Sequence, residues 1–357
     1  MPRTSADRLE DFISVLQDSA GYSSGQTLAR KAGISRSAVW KHIRRLRRCG
    51  YDIQSLHGKG YRLAGGTEYP VPWELGRLLH TNKVLGKKKI VYREMATSTQ
   101  AIAIALAEKG EDEGLVVIAE QQSGGRGRMK RRWVSPRGGI WLSVVLRPPI
   151  PTAASTMLPF AAAVAVCDAI RQEAKINATL KWPNDVMVAG KKVAGILLDL
   201  SAEAETVNYA VVGIGINANV DTSKLKIEGR EGRPGITSLA QEAGHDINRL
   251  RLTGALLEKL EHYYFLMLEE NEKEGEGGQR AVMEEWKKRS DMLGKQVTIS
   301  QQQGKKPIRG TAVDVAGDGS LVVRVENGEK EIRVVSGDVM VAGGSSSSSS
   351  GGVSTSQ

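Results

Sequence analysis

At the start of the chain apolar residues recur at helical spacing. Leu9, Phe12, Ile13 and Leu16 fall on one face of a first helix. Ser23-Ser24-Gly25-Gln26 leads into residues 27–32, a cap ahead of helix-forming residues, and Gly33 supplies the stop. Ser35 can cap a third helix, in which Ala38, Val39, His42 and Leu46 recur near helical spacing. The pattern then shortens to strands: residues 51–56, the turn His57-Gly58-Lys59-Gly60, and Tyr61-Arg62-Leu63 read as a β-hairpin. Helix, tight glycine turn, helix and hairpin together predict a winged helix-turn-helix.

Past the flexible join Gly65-Gly66-Thr67 the pattern changes again. Residues 90–92, 115–119, 140–146 and 210–216 read as strands, with helices near 100–109 and 159–174 and an amphipathic helix over 251–268. No regular βαβ repeat is present, so an α+β domain with a mixed sheet is expected rather than a doubly wound one. From 293 to 341 short strands (296–300, 308–315, 320–325, 330–335) are set off by Gly and Asp turns, the pattern of a small SH3-like β-barrel. The expected organisation is a winged helix-turn-helix over 1–66, a linker and α+β domain over 67–278, the β-barrel over 279–342, and a disordered Gly/Ser tail over 343–357.

Length and composition agree with this division. The 357 residues, 40% of them hydrophobic, suffice for two or three domains. The best candidate for a membrane span, residues 157–170, carries Pro159 and Asp168 and falls short of the roughly 18 residues needed. Residues 1–7 lack the apolar stretch of a signal peptide. The two cysteines, Cys49 and Cys167, have no metal-ligand spacing and form no disulfide framework. A cytoplasmic protein without membrane contact is expected, and no metal-ligating residue is assigned.

Charge adds a partner. Of the formal net charge of +10, residues 1–63 carry +7, with twelve Lys and Arg against five Asp and Glu. Six of those cations fall between Arg36 and Arg48 with no acid among them. Such a concentration points to a polyanion. In a helix-turn-helix the third helix enters the major groove, so Ser35, Arg36, Ser37 and Trp40 are expected at base edges, with Lys41, Arg44, Arg45 and the wing residue Lys59 at phosphates. The alternative is a packing module whose basic face is merely solvated.

Candidate chemistry concentrates in two segments. Gln122 to Trp133 reads Q-S-G-G-R-G-R-M-K-R-R-W, in which Gly124, Gly125 and Gly127 permit close backbone approach while Arg126 and Arg128 offer forked donors for carboxylate or phosphate oxygens. The second segment is Lys181-Trp182-Pro183-Asn184-Asp185, followed by Gly190-Lys191-Lys192-Val193-Ala194-Gly195-Ile196-Leu197. Gly125-Arg126-Gly127-Arg128 with Trp133 at its spacing, together with K-W-P-N-D, resembles the biotin protein ligase family. The likeness extends from about residue 9 to 341.

The resemblance implies a two-step reaction. A biotin carboxylate attacks the α-phosphate of ATP, with Mg2+ assisting, and a lysine of a biotin carboxyl carrier protein domain then attacks the acyl-adenylate. By the same resemblance Lys192, Arg126, Arg128 and Asp185 are the catalytic set. Ser98, Thr99, Gln100, Gln122, Arg126, Gly127, Arg128, Lys192, Gly195 and Asn217 are the binding set, with Gly213 and Gly215 in a further signature near the nucleotide. Many members have Asn where Gln100 stands. Ser98-Thr99 also suits a helix cap, and Asp185 suits a metal ligand, a proton acceptor or a partner of turn amides. Residues 1–66, with Ser35-Arg36-Ser37-Ala38 and Gly58-Lys59-Gly60-Tyr61, resemble the DNA-binding domain of the bifunctional ligase-repressors. That implies operator DNA as a partner and a homodimer in the adenylate-bound state. A ligase without DNA-binding regulation and a lipoate ligase on the related fold are the rival readings.

Overall fold

The computed structural model describes residues 7–19, 21–80, 85–86, 89–225, 235–269, 277–301, 306–326 and 330–341, so the expected Gly/Ser tail lies outside it. The chain begins with α1 (Asp7–Gln17), α2 (Gly25–Ala32), α3 (Arg36–Arg48), β1 (Asp52–Leu56) and β2 (Gly60–Gly65). Ser24 caps α2 by accepting from Thr27 N, Ser35 caps α3 by accepting from Ala38 N, and Gly33 ends α2 in the left-handed conformation. The buried face of α3 is Val39, Ile43 and Leu46, packed on Leu9, Phe12, Ile13, Leu16 and Leu28. It is rotated from the expected Ala38 and His42: the i, i+4, i+7 row of branched side chains takes the core, and His42 stacks on Phe12 at 5.2 Å. The wing is an antiparallel pair, and its Gly60 has φ +102 with Ser23 O only 2.1 Å from where a Cβ would stand. Only glycine closes that turn against α2.

A short helix, α4 (Pro72–Leu78), leads into a seven-stranded sheet. Its parts are β3 (Ile90–Arg93), α5 (Thr99–Glu108), β4 (Val116–Ala119), β5 (Ile140–Leu146), α6 (Leu158–Glu173), β6 (Thr179–Lys181), β7 (Asp185–Val188), β8 (Lys191–Glu203), β9 (Thr206–Ile216), α7 (Leu239–Ala243), α8 (Arg249–Leu268) and α9 (Gly278–Arg289). The strand order is β3-β4-β5-β9-β8-β7-β6, parallel only between β3 and β4, so the sheet is mixed as expected. β6, β7 and β8 were not anticipated as separate strands. A 3-10 turn before α6 extends it to Thr152–Glu173, a helix of 22 residues that is long and apolar enough to cross a membrane. It is a core helix here: its side chains from Leu158 to Ile170 are largely buried, in contact with α8 and α9. The fully buried Trp286 anchors α9, and truncating a core tryptophan costs about 3–5 kcal/mol.

The two faces of the sheet have different duties. Val212, Ile214 and Ile216 of β9 join the large core that includes α6 and α8, whereas Val211, Val145, Val117 and Leu115 pack with Ala103 and Ala107 of α5. The chain ends in β10 (Gln296–Ser300), β11 (Ile308–Val315), β12 (Leu321–Val325), β13 (Glu331–Val334) and β14 (Asp338–Val341). Their hydrogen bonds describe an antiparallel five-stranded sheet, β13-β12-β11-β10-β14, open between β13 and β14 among the described residues. Val297, Ile299, Leu321 and Val339 join the large core, and Trp182 Nε1 donates to Gly319 O at 2.9 Å. This C-terminal sheet is therefore packed as a wall of the central domain.

Candidate functional site

Along the α5 face of β9 the side chains run Val211, Gly213, Gly215, two residues apart and thus on one side of the sheet. Gly195 of β8 pairs with Gly215, and Ser143 of β5 pairs with Gly213. Where valines pack α5 the sheet is filled; where glycines follow, its surface is bare. A Cβ on Gly213 would lie 2.4 Å from Gln100 Oε1, and one on Gly215 would lie 2.6 Å from Trp133 Nε1. A Cβ on Gly195 would be 3.1 Å from the Trp133 ring. The glycines thus form a floor on which Gln100 and Trp133 rest, about 7 Å apart along the strand.

The floor opens into a cavity of about 220 Å³. Over Gly213 the lining is neutral and polar. Ser98 caps α5 by accepting from Ala101 N, and Gln122 Oε1 accepts from Thr99 N (2.7 Å) and Thr99 Oγ1 (3.1 Å). Ser143 Oγ donates within a network containing Thr99 Oγ1 (2.9 Å) and Gln100 Oε1 (2.8 Å). Gln100 Nε2 donates to Val211 O, so both ends of this buried amide are engaged within the protein. The helix-cap reading of Ser98 and the cavity-lining reading hold together.

Over Gly215 and Gly195 the lining is charged. Lys192 Nζ pairs with Asp185 and stands 5.1 Å from the centre of the Trp133 ring. Asp185 therefore bonds a lysine, not the turn amides that one sequence reading allowed. Arg128 reaches Asn184 Oδ1 at 3.2 Å, and desolvation lowers its pKa, an effect opposed by Asp185 and Asp338. Lys181 is 7% exposed, and its pKa is depressed by burial, with Asp185 opposing and Lys192 adding to the depression. Six cations, Arg126, Arg128, Arg131, Arg132, Lys181 and Lys192, thus line the cavity against two carboxylates, Asp185 and Asp338, an arrangement that favours an anion. Trp133 Nε1 is buried without an acceptor among the described residues.

The glycine and arginine loop is held at both margins. Gly127 N donates to Arg131 O, Trp133 N donates to Gly125 O, and Met129 and Lys130 adopt φ of 54 and 58. Arg131 grips Asp338 of β14 through a fork whose Nη1 bond is 2.8 Å, so the C-terminal sheet fastens the loop. Arg126 is exposed at the cavity margin. Asn217 is less free than expected: its Nδ2 donates to Thr237 O, securing the end of β9, although the residue still lines the cavity. Sequence reasoning did not assign Ser143, Lys181 or Asp338. Lys181 lay in view as the first residue of K-W-P-N-D; Ser143 and Asp338 carry no local signal.

The expected DNA-contacting residues occupy one exposed surface of α3. Arg36, Ser37, Trp40, Lys41 and Arg44 are exposed, Arg45 is half-buried, and Lys59 is exposed in the wing turn. The Arg44 guanidinium lies 4.7 Å over the Trp40 ring. Ser35 Oγ is engaged as a cap and bonds Ser37 Oγ. Arg47, which was not assigned to DNA, donates to Ile53 O and Ser55 Oγ and ties α3 to the wing.

Comparison with known proteins gives three family matches in series: the HTH domain over 8–62, the biotin/lipoate A/B protein ligase family over 92–217, and the biotin protein ligase C terminal domain over 292–341. The chain is 39% identical over 242 residues to the bifunctional ligase/repressor BirA of Bacillus subtilis, covering 67% of this chain and 73% of that one. It is 29% identical over 307 residues to the Escherichia coli protein of the same description, covering 85% and 88%. Among solved structures it is similar to the biotin protein ligase of Aquifex aeolicus in complex with biotin and ATP. That likeness has a TM-score of 0.57 and 26% identity, over 71% of this chain and 98% of the other.

Proposed function

The chain belongs to the biotin protein ligase family and is a ligase with a helix-turn-helix repressor domain; from that premise we propose how the cavity and the N-terminal unit divide the work. Biotin's bicyclic urea is neutral and polar, and it belongs over Gly213 among Ser98, Thr99, Gln122 and Ser143. Its carboxylate and the ATP α-phosphate belong over Gly215 and Gly195, beside Lys192, Arg128 and Lys181. The single observation that carries this reading is the glycine floor, which sets a neutral polar set and a cationic set side by side in one cavity.

In the first step a biotin carboxylate oxygen bonds to the α-phosphorus, the bond to the β-phosphate oxygen breaks, and pyrophosphate leaves. Two anions must meet, so fixed cations lower the barrier by offsetting charge that grows in the transition state. Mg2+ belongs with the ATP phosphates. Asp185 offers one carboxylate, which suits an ion that binds through few carboxylates and substrate phosphates, and no cluster of three potential ligands exists among the described residues. In the second step the acceptor amine attacks the acyl carbon, AMP leaves, and the amine proton passes to Asp185. The loop from Gly124 to Trp133 excludes water from the adenylate. The acceptor is a biotin carboxyl carrier protein domain. Arg36, Ser37, Trp40, Lys41, Arg44, Arg45 and Lys59 contact operator DNA, where a homodimer of adenylate-loaded chains occupies two half-sites.

The test is paired. Biotin, ATP, Mg2+ and a carrier domain should yield a biotinylated lysine, and transfer of lipoate in its place would overturn the substrate assignment. Biotin and ATP should strengthen a gel shift of a biotin-synthesis promoter, and an unshifted fragment would remove the regulatory half.

A further inference from the structure

Arg249, the first residue of α8, is 4% exposed and is engaged in three directions. Its Nη1 donates to Glu120 Oε2 and to the Gly139 carbonyl, both at 3.0 Å. Its guanidinium carbon lies 4.3 Å from the centre of the Tyr69 ring. Glu120 immediately precedes the segment 121–138 that carries the glycine and arginine loop, and Gly139 immediately follows it. One side chain therefore clamps both ends of that segment. A planar guanidinium can donate in its plane while stacking an aromatic ring on its face, which an ammonium cannot do.

Tyr69 continues the path. Gly50, just past the Cys49 cap of α3, has φ +84, and a Cβ there would lie 2.9 Å from Tyr69 Cδ1 and 2.7 Å from Thr67 Oγ1. Thr67 Oγ1 donates to Cys49 O at 2.5 Å, and Tyr69 N donates to Thr67 Oγ1 at 2.9 Å. The linker is thus fastened to the end of α3. On the other side Leu250 N donates to Glu68 O at 2.8 Å, so the start of α8 and the linker are joined through backbone as well.

Glu120 faces Tyr92 as well as Arg249. Burial first, then the charge of Glu120 and a hydrogen-bond contact with it, raise the pKa of the Tyr92 phenol, so the two groups already adjoin beside the clamp.

We propose that Arg249 is a positioning residue through which ordering of the 121–138 segment over the bound adenylate is transmitted, by way of Tyr69, to the C-terminal end of α3. This link rests on the ligase and repressor reading above, and its test separates the two. Hydrogen exchange is measured with and without biotin plus ATP in the wild type, Tyr69→Leu, Tyr69→Phe and Arg249→Lys, alongside adenylate formation and a promoter gel shift.

In the wild type, biotin plus ATP should slow amide exchange at residues 46–50 and 66–71. Tyr69→Leu and Arg249→Lys should lose that response, and Tyr69→Phe, which keeps the ring, should retain it. Tyr69→Leu should form adenylate at close to the wild-type rate yet lose at least about fivefold of the ligand-dependent gain in DNA affinity, the lower end of ordinary allosteric coupling. Unchanged exchange at 66–71 in the wild type, or a full response in both Tyr69→Leu and Arg249→Lys, overturns the proposal. If exchange responds as expected and no condition yields a promoter complex, the repressor reading falls and the link stands.

Discussion

Substituting Gly215 by Ala tests the floor of the cavity directly. The added Cβ would lie 2.6 Å from Trp133 Nε1 and 2.8 Å from Cε2. Carbon contacts settle near 3.5–4.0 Å, so the indole must withdraw by about 1 Å. Overpacking of this kind costs about 1–3 kcal/mol, which lowers the melting temperature by about 1–2 °C per kcal/mol in a chain of 357 residues. The functional loss should be larger than the stability loss implies. Trp133 ends the loop and touches Lys192, and a displacement of about 1 Å in a positioned group can cost about 100-fold in rate. Pyrophosphate exchange at varied biotin should therefore show kcat/KM falling about 30- to 100-fold in a folded protein. Gly213→Ala is the companion variant: its Cβ would meet Gln100 Oε1 at 2.4 Å, so it should raise the KM for biotin while leaving adenylate retention near normal. A folded Gly215→Ala protein with wild-type kcat/KM would refute the claim that Trp133 rests on this glycine during turnover.

Three further outcomes are expected. Lys192→Ala should stop adenylate formation, by about 100-fold or more as for loss of a preorganised charge at a reacting centre, while thermal unfolding changes little; normal pyrophosphate release would remove Lys192 from the mechanism. Arg126→Ala should speed escape of the adenylate and so label bystander lysines, and retention equal to the wild type would defeat this. For Lys181 the folded-state pKa lies below 10.5 because burial disfavours its charge. The unfolded chain then holds more protons between that depressed value and 10.5, so stability rises with pH across that window. A bound anion restores the charge, so ligand binding takes up a proton and weakens as pH rises through the same window; calorimetry in buffers of different ionisation enthalpy measures it, and Lys181→Met showing the same uptake would refute it.

The helical starts were legible because capping is local: Ser24, Ser35 and Ser98 each bond an amide three residues on. The cationic loop was legible because glycine and arginine types state their chemistry without a partner. What escaped depended on contacts distant in sequence. Asp338 meets Arg131 across 207 positions, and nothing in residues 337–341 marks that role. β8 was hidden by Lys191, Lys192 and Gly195, which weaken a strand signal, and yet Lys192 and Gly195 line the cavity. α9 was obscured because it starts at Gly278, where the α+β domain was expected to give way to the β-barrel, although Trp286 fixes it in the large core.

The Gly213-Ile214-Gly215 run shows why a weak motif can carry a strong constraint. By spacing alone, glycine at alternate positions reads as a poor strand, since glycine loses more conformational entropy on ordering than any other residue. The strand forms because its other face, Val212, Ile214 and Ile216, is buried against α6 and α8. The intervening β5 and β8 pairings hold the register through both glycines. Stability is thus supplied by one face and function by the other, and the period of two keeps them separate. A larger side chain at 214 would strain the core, whereas one at 213 or 215 would fill the site. The same division governs Arg249: its bonds to Glu120 and Gly139 are made at the two ends of the segment that carries the loop, where a packing residue would serve stability alone. A guanidinium stacked on Tyr69 adds a connection to α3 that core packing does not require.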